Sequence, residues 1–156
     1  MREVILLKSL NHPNIIRLLD VLYGLSKVTL VLEYMPYDLS KVISQLPPGK
    51  GMRPDIVKSF MRQILSAVDY FHQRRIYNRD LCPRNIMVDK DDVLKIIDFG
   101  LARSFELPAQ SRTKRVVTVW YRAIELFFGQ EDYSAPVDMW SVGCIFAEMV
   151  QGKPLF

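Results

Sequence analysis

The chain has 156 residues, with 49% apolar residues, 24% charged residues and a formal net charge of +4. This length and composition fit one ordinary globular domain that buries about 68–70% of its unfolded surface, and they exclude the disordered, collagenous and low-complexity classes. The small positive charge gives no reason to expect a nucleic-acid partner, and no apolar run is long enough to be typical of a membrane span. Two cysteines are too few for a disulfide framework and favour a reducing intracellular compartment.

The first half of the chain is predicted to contain a short helix, a pair of strands and a longer helix. The short helix covers residues 2–10 and ends at the Asn and Pro residues that follow. The β-rich runs Ile15–Leu22 and Lys27–Tyr34 are predicted to pair as antiparallel strands. From Asp55 to Phe71 the apolar residues are spaced by three and four, which is typical of a long helix with one buried face.

The second half is predicted to contain a hairpin, a long loop and a last helix. Asn85–Val88 and Val93–Ile97 form the hairpin, and residues 101–133 lack a sustained period, which predicts a loop with a short helical stretch near Glu125. Residues 136–150 are apolar on nearly every side of a helix, as is typical of a helix at the centre of a core. Because the sequence ends soon after this helix, we expect it to be an interior piece of a larger fold.

Three oxygen-bearing side chains, Asp80, Asn85 and Asp98, lie at turn and loop positions around the predicted hairpin. Taken singly, each is better explained as a common turn residue. Their order and spacing instead favour a site for Mg²⁺, which binds one or two carboxylates together with substrate phosphates. In this interpretation Asn85 and Asp98 hold the metal and Asp80 faces the reacting hydroxyl group.

The same residues carry a family resemblance. The segment Asn78–Asn85 reads NRDLCPRN, and Asp98-Phe99-Gly100 follows it, so the two resemble the HRDLxxxN catalytic loop and the DFG motif of protein kinases. Further matches resemble the cyclin-dependent subgroup of the Ser/Thr kinases and lie at Leu101–Arg103, Val116–Glu125 and Val137–Glu148.

The resemblance implies an α+β, protein-kinase-like fold in truncated form. Residues 1–34 would supply the αC helix and part of the small-lobe sheet, and residues 35–156 the hinge and the mainly helical large lobe up to the αF helix. No GxGxxG motif occurs in the sequence, so the lid over the nucleotide phosphates and the partner of Glu3 are expected upstream.

The resemblance also implies an activity and partners. It implies transfer of the ATP γ-phosphoryl group, with Mg²⁺, to a Ser or Thr of a protein substrate, before a proline, and control by a cyclin-type regulatory subunit. It implies an intracellular protein of the nucleus, the cytoplasm or both, with no nucleic-acid or membrane partner.

By the resemblance, Asp80 accepts the proton of the substrate hydroxyl, Thr118 braces Asp80, and Cys82 stands where the family has a catalytic Lys. The metal ligands are Asn85 and Asp98. Leu32 and Met87 are equally well explained as ordinary core residues of strands. The residues implied in nucleotide binding are Leu32, Glu33, Met35, Asn85, Met87 and Asp98.

Further residues have implied structural or regulatory roles. Asp138 would be buried by hydrogen bonds to the backbone of the catalytic loop, because an unpaired buried carboxylate is too costly. Thr113 stands at the position where the family is switched on by phosphorylation, and its phosphate would contact three arginines. The structural residues are Phe99, Gly100, Glu125 and Asp138, and the regulatory residues are Arg2, Glu3, Arg79, Arg103 and Thr113.

Three departures from the family pattern leave a second hypothesis open. Cys82 removes a cation, Asn78 replaces the His whose ring packs on Phe99, and Ile124 replaces a Pro. A pseudokinase or an inactive fragment that acts as a binding module is therefore the alternative. A reactive thiol at Cys82 is the weaker interpretation of that residue, and neither histidine has the neighbours of a metal ligand.

Overall fold

The computed structural model describes residues 2–24, 27–99, 103–104, 119–128 and 135–156. The predicted α+β fold class is confirmed. Within the described residues no helix is both long and apolar enough to span a membrane. The elements in chain order are α1 (Arg2–Ser9), β1 (Leu18–Tyr23), β2 (Val28–Leu32), β3 (Tyr37–Asp38), α2 (Leu39–Ser44), α3 (Pro54–His72), β4 (Ile76–Tyr77), β5 (Ile86–Val88), β6 (Leu94–Ile96), β7 (Arg103–Ser104) and α4 (Ala135–Gln151).

The strands β1 and β2 pair in antiparallel register, from Leu18 opposite Leu32 to Tyr23 opposite Val28, as predicted. The pairing begins later in the chain than predicted. Ile15 makes an isolated parallel bridge to Ile96 instead, and the Ile16 amide donates to the Ile96 carbonyl. This bridge joins the segment before β1 to strand β6, which leads into Asp98-Phe99.

The predicted hairpin is confirmed as β5 and β6, with Val88 opposite Leu94. The Asp89 carboxylate accepts hydrogen bonds from the amides of Asp91 and Val93 and closes the turn. A third strand, β3, pairs with β5 and was not predicted. The helix α2 that follows it was also not predicted, although Asp38 caps it by accepting from the Lys41 amide.

Helix α3 is the long helix predicted from the spacing of apolar residues, and it starts with Pro54 in its first turn. It packs against α4 and β6. Because hydrogen bonds join the segment Asn78–Asn85 to α4 and to the residues after β6, α3 supports that segment through both elements. Its buried side chains are Val57, Phe60, Ile64, Ala67, Val68 and Phe71.

Helix α4 is confirmed as a helix, but only part of its apolar surface is buried among the described residues. One face is buried, but Met139, Trp140, Phe146 and Val150 on the other sides are each 39–50% exposed. The Trp140 ring stacks on Phe156 with parallel planes. The expectation that this helix lies at the centre of a larger core stays a prediction.

The C-terminal end of α4 is crossed closely by the loop that precedes α3. The Met52 amide donates to the Met149 carbonyl at 2.7 Å. A Cβ atom on Gly51 would lie 1.8 Å from the Val150 carbonyl oxygen, so only glycine permits this crossing. The contact fixes the start of α3 against the end of α4.

Candidate active site

The predicted catalytic loop, Asn78–Asn85, is anchored to α4 by the carboxylate of Asp138, which is fully buried. Asp138 Oδ2 accepts the backbone N–H of Asn78 at 2.9 Å, and Oδ1 accepts that of Arg79 at 2.7 Å. His72 Nε2, from the last turn of α3, lies 2.8 Å from Oδ2. These backbone hydrogen bonds are the ones expected for Asp138, and they hold Arg79 in a left-handed conformation with φ of 70°.

Asn78 is also fully buried, and its carboxamide contacts both halves of the site. Nδ2 donates to the backbone carbonyl of Asp98 at 2.5 Å, and Oδ1 accepts the backbone N–H of Asp80 at 3.0 Å. Phe99, for which the sequence predicts a weaker apolar contact because Asn78 is not a ring, is 1% exposed and packs against Phe71 instead.

Asp80 and Asp98 lie close enough for their charges to interact. Burial, and after it the negative charge of Asp98, raise the pKa of Asp80 to about 6, although a hydrogen bond from Asn85 and the charge of Arg122 act in the opposite direction. Asn85 Nδ2 donates to the Asp80 carbonyl at 2.9 Å, and the Ile97 amide donates to the Asn85 carbonyl at 3.0 Å. The fold therefore brings Asp80, Asn85 and Asp98 together, as their spacing predicts.

The chemistry of this donor set fits a hard divalent cation. A carboxylate such as that of Asp98 and an amide oxygen such as that of Asn85 are ligands that Mg²⁺ takes when phosphates complete its coordination. No group of three or more His, Cys, Asp or Glu side chains able to hold a metal occurs among the described residues. An all-protein site for a transition metal is therefore not part of the described structure.

Four of the residues assigned to nucleotide binding lie at the end of β2, in the connection after it and on β5. Glu33 donates its backbone N–H to the Arg17 carbonyl, and its carboxylate accepts the Arg17 N–H and pairs with Lys95 at 2.9 Å. Because the Glu33 N–H is used in this way, the Glu33 backbone could bind a base only by accepting a hydrogen bond at its carbonyl oxygen. Leu32, Met35 and Met87 are half-buried, which leaves part of each side chain accessible.

Cys82 lies in the wall of a cavity of about 220 Å³ beside the catalytic loop and is only 4% exposed. Burial raises the pKa of the Cys82 thiol, so the reactive thiolate is disfavoured. The hypothesis of a reactive cysteine therefore gains no support. The cavity is lined by Ser40, Ile43, Ser44, Cys82, Pro83, Arg84, Trp120, Tyr121, Glu148, Gly152, Lys153 and Pro154.

Comparison with protein-family models gives a match to the model described as Protein kinase domain, over residues 1–156. The chain belongs to the protein kinase family. The identification from the catalytic-loop and DFG-like motifs is thereby confirmed at the level of the kinase domain, as is the expectation of a truncated kinase-like α+β fold. Kinase domains as a class act on protein substrates and use ATP with Mg²⁺.

Sequence reasoning missed a second buried polar pair of this kinase domain. The Tyr121 hydroxyl donates to the Glu148 carboxylate, and Ser141 Oγ donates to the Tyr121 carbonyl at 2.7 Å. Burial raises the pKa of both Tyr121 and Glu148. The only signal in the sequence was a Glu on an otherwise apolar helix. His72 was likewise assigned no special role, yet it contacts Asp138.

Of the remaining predicted site residues of the kinase domain, the structure describes Glu125 and leaves the others, or their side chains, outside the described residues. Glu125 lies in a short 3-10 turn, Ile124–Leu126, which confirms the helical stretch predicted there, and no cation among the described residues lies within ion-pair distance of it. Gly100, Thr113 and Thr118, and the side chains of Arg2, Glu3 and Arg103, lie outside the described residues.

Proposed function

We propose that this kinase domain belongs to the cyclin-dependent subgroup and transfers the γ-phosphoryl group of ATP, with Mg²⁺, to Ser or Thr residues of proteins. The observation that carries the proposal is the grouping of Asp80, Asn85 and Asp98 on one anchored loop and hairpin. The subgroup and the Ser/Thr preference are supported by the matching segments around Asp98 and Val137–Glu148.

Each side chain of the site has one task in this reaction. Asn85 and Asp98 would hold Mg²⁺, which when bound neutralises the negative charge of the phosphates. Asp80 orients the substrate hydroxyl and accepts its proton at a carboxylate oxygen. Without Mg²⁺ the pKa of Asp80 is raised to about 6, and bound Mg²⁺ would lower it, so the carboxylate is ionised at neutral pH and can accept a proton. Thr118 is assigned the bracing of Asp80.

Cys82 favours the alternative function, a pseudokinase that binds partners without transferring phosphate. Its side chain is buried and carries no positive charge, whereas the family places a Lys there to meet the transferred group. The loss of one charge-stabilising donor costs about 10²–10³ in rate in other enzymes. Under the leading proposal the protein is thus a slow kinase, and under the alternative it is inactive.

The test is Mg²⁺-dependent transfer of labelled phosphate from ATP to protein by the full-length protein that carries this chain. We expect slow transfer that Asp80→Asn and Asp98→Asn each reduce by about 10² or more. Asp91→Asn, in the exposed turn of the same hairpin, is the matched control and should leave the rate unchanged. Cys82→Lys should raise the rate. No transfer by either the natural protein or Cys82→Lys would favour the pseudokinase.

The proposal includes a cyclin-type subunit that contacts α1. The resemblance supports it, because the family's cyclin-contact helix ends in Arg-Glu, as Arg2-Glu3 does here, and is followed by a segment close to Leu6–Ile15. Ile5, on α1, is 67% exposed and offers an apolar contact. We expect Ile5→Asp to weaken binding of an added cyclin by about tenfold, since a charge replaces an apolar contact. Leu19→Asp, at a 51% exposed position of β1, is the control; equal loss in both variants would contradict a contact at α1.

The proposal also includes activation by phosphorylation of Thr113. A phosphothreonine carries about −1.5 to −2 charges and three acceptor oxygens, which suit arginine side chains such as those of Arg2, Arg79 and Arg103. We expect phosphorylated protein to be more active than unphosphorylated protein, and Arg79→Ala to remove the difference. An equal response of Arg79→Ala and the natural protein would contradict this switch.

A further inference from the structure

We propose that Asn78 is a positioning residue of the candidate active site, where its carboxamide joins the backbone of Asp80 to the backbone of Asp98. The inference rests on the proposed function for its catalytic consequence, but the link itself is a matter of hydrogen bonds. Nδ2 donates to the Asp98 carbonyl at 2.5 Å while Oδ1 accepts the Asp80 N–H at 3.0 Å. One planar side chain thus connects the loop that bears the base to the segment that bears the metal ligand.

The link requires a donor and an acceptor at the same time. A carboxamide offers both from one planar group, whereas a carboxylate offers only acceptors and an aliphatic side chain offers neither. Asp at position 78 would direct an oxygen at the Asp98 carbonyl. Leu has a similar volume but would leave both backbone groups without a partner. The chemistry of Asn is therefore needed here, not merely its size.

Burial and the hydrogen bonds of the neighbouring backbone restrict the movement of the Asn78 side chain. Asn78 is fully buried, so a carboxamide without partners would be costly there, and its own backbone N–H is held by Asp138. Arg79, between Asn78 and Asp80, is held by the other oxygen of Asp138 in a left-handed conformation. The Asp80 backbone is fixed from a third side, because Asn85 donates to its carbonyl.

The consequence is that one amide sets the separation of Asp80 from Asp98. Phosphoryl transfer depends on positioning, and a misplacement of about 1 Å can cost on the order of 10²-fold in rate. Loss of the link should therefore lower kcat and weaken the binding of Mg²⁺, while the protein substrate, which is bound by other surfaces, keeps its KM. A residue with a merely structural role would lower stability without this selective change.

The experiment compares Asn78→Leu with Asn14→Leu in the full-length protein. Asn14 is a matched control, since it is 8% exposed and its carboxamide donates to Gln63 and to the Leu94 carbonyl, away from the active site. We expect both variants to lose thermal stability. Only Asn78→Leu should speed amide exchange of Asp80, lower kcat by about 10–100-fold and raise the Mg²⁺ concentration for half-maximal rate.

Asn78→Asp should lower kcat as Asn78→Leu does, because it keeps the size of the side chain but removes the donor to the Asp98 carbonyl. If Asn78→Leu and Asn14→Leu lower stability alike and both leave kcat, the Mg²⁺ requirement and Asp80 exchange unchanged, the positioning role is wrong. If the natural protein transfers no phosphate, the proposed function fails, and exchange of the Asp80 amide in the same variants still decides whether the link exists.

A measurement on the unmodified protein covers the case in which the variants do not fold. Amide exchange by NMR should show the Asp80 N–H and the side-chain amide of Asn78 protected from solvent. Exchange of the Asn78 side-chain amide as fast as that of Asn11, an exposed residue, would overturn the link.

Discussion

The ring of Phe71 meets the ring of Phe99 edge-on, with centroids 5.8 Å apart and an interplanar angle of 89°. Both side chains are buried, at 0% and 1% exposure. Phe71 lies in the last turn of α3, and Phe99 directly follows Asp98. The contact therefore fixes the residue beside the candidate metal ligand to the longest helix, and it provides the aromatic packing that the amide of Asn78 cannot.

We expect Phe71→Ala to lower the free energy of unfolding by about 3–5 kcal/mol, because it removes a fully buried ring and leaves a cavity beside Phe99. Urea denaturation measures this change. Phe128→Ala removes the same group at a position that is 84% exposed and should change the free energy by less than about 0.5 kcal/mol. Similar losses in the two variants would show that the contact between Phe71 and Phe99 does not hold the core.

The predictability of the elements follows from their length and their burial. Helix α3 could be predicted because six buried apolar side chains recur along its 19 residues. Helix α2 could not, because its six residues bury only Leu39 and Ile43, too few to display a period. The strand β3 has two residues and exists only because β5 lies beside it. Its formation depends on tertiary packing that no local pattern encodes.

The titration of Asp80 gives a second prediction. Burial and the charge of Asp98 raise the pKa of Asp80 from 3.8 to about 6, so the fold favours the protonated carboxyl group. The contribution of Asp80 to stability is therefore most favourable below pH 3.8 and is lost as the pH rises through about 6. NMR of the aspartate carboxyl carbons without Mg²⁺ should show a midpoint near that value.

Two changes should lower that midpoint. Asp98→Asn removes the neighbouring negative charge, and added Mg²⁺ places a positive charge beside Asp80. Burial remains in Asp98→Asn, so the midpoint should still lie above the ordinary value. Asp91→Asn is the control and should leave it unmoved. If neither Asp98→Asn nor Mg²⁺ changes the titration midpoint of Asp80, the two carboxylates do not share a site.

A third prediction concerns the buried pair of Tyr121 and Glu148. Tyr121→Phe removes the hydroxyl donor and leaves a buried carboxyl group without its partner, so we expect a loss of about 1–3 kcal/mol in the free energy of unfolding. Tyr34→Phe makes the same change at a position that is 86% exposed and should cost almost nothing. Thermal or urea denaturation distinguishes the two.

The loss from Tyr121→Phe should also grow with pH. Burial raises the pKa of Glu148 from 4.5, and the hydrogen bond from Tyr121 lowers it. Removing the hydroxyl raises this pKa further, so the charged form of Glu148 becomes more costly in the folded state. Stability of the variant should fall more steeply than that of the natural protein as the pH rises from about 4.5. Parallel pH profiles would show that Tyr121 does not stabilise the charged carboxylate.

The candidate site was predictable where its residues are close in sequence. Asp80 and Asn85 belong to one motif, and Asp98 follows the adjacent hairpin, so their grouping is encoded locally. The pair of His72 and Asp138 is separated by 66 positions, and it forms only because α3 packs on α4. Sequence spacing carries no information about such a contact, which is why the anchor of Asp138 on the backbone was expected but its contact with His72 was not.

The last prediction concerns Asp138. Its two carboxylate oxygens accept hydrogen bonds from the N–H groups of Asn78 and Arg79, and one of them also contacts the ring of His72. Asp138→Asn cannot reproduce this arrangement. An NH₂ group in place of Oδ1 faces the Arg79 N–H, and one in place of Oδ2 faces the Asn78 N–H. Either orientation leaves one buried backbone donor without an acceptor, so we expect a loss of about 1–3 kcal/mol in the free energy of unfolding.

Asp138→Ala removes all three contacts and should cost about 3–5 kcal/mol or prevent folding. Asp69→Asn, at an exposed position of α3, is the matched control and should stay within about 0.5 kcal/mol of the natural protein. In Asp138→Asn, amide exchange at either Asn78 or Arg79 should accelerate while that of the β5–β6 hairpin stays unchanged. Acceleration throughout the chain without a preference for the catalytic loop would show that Asp138 supports the fold in general and not the loop that carries Asp80.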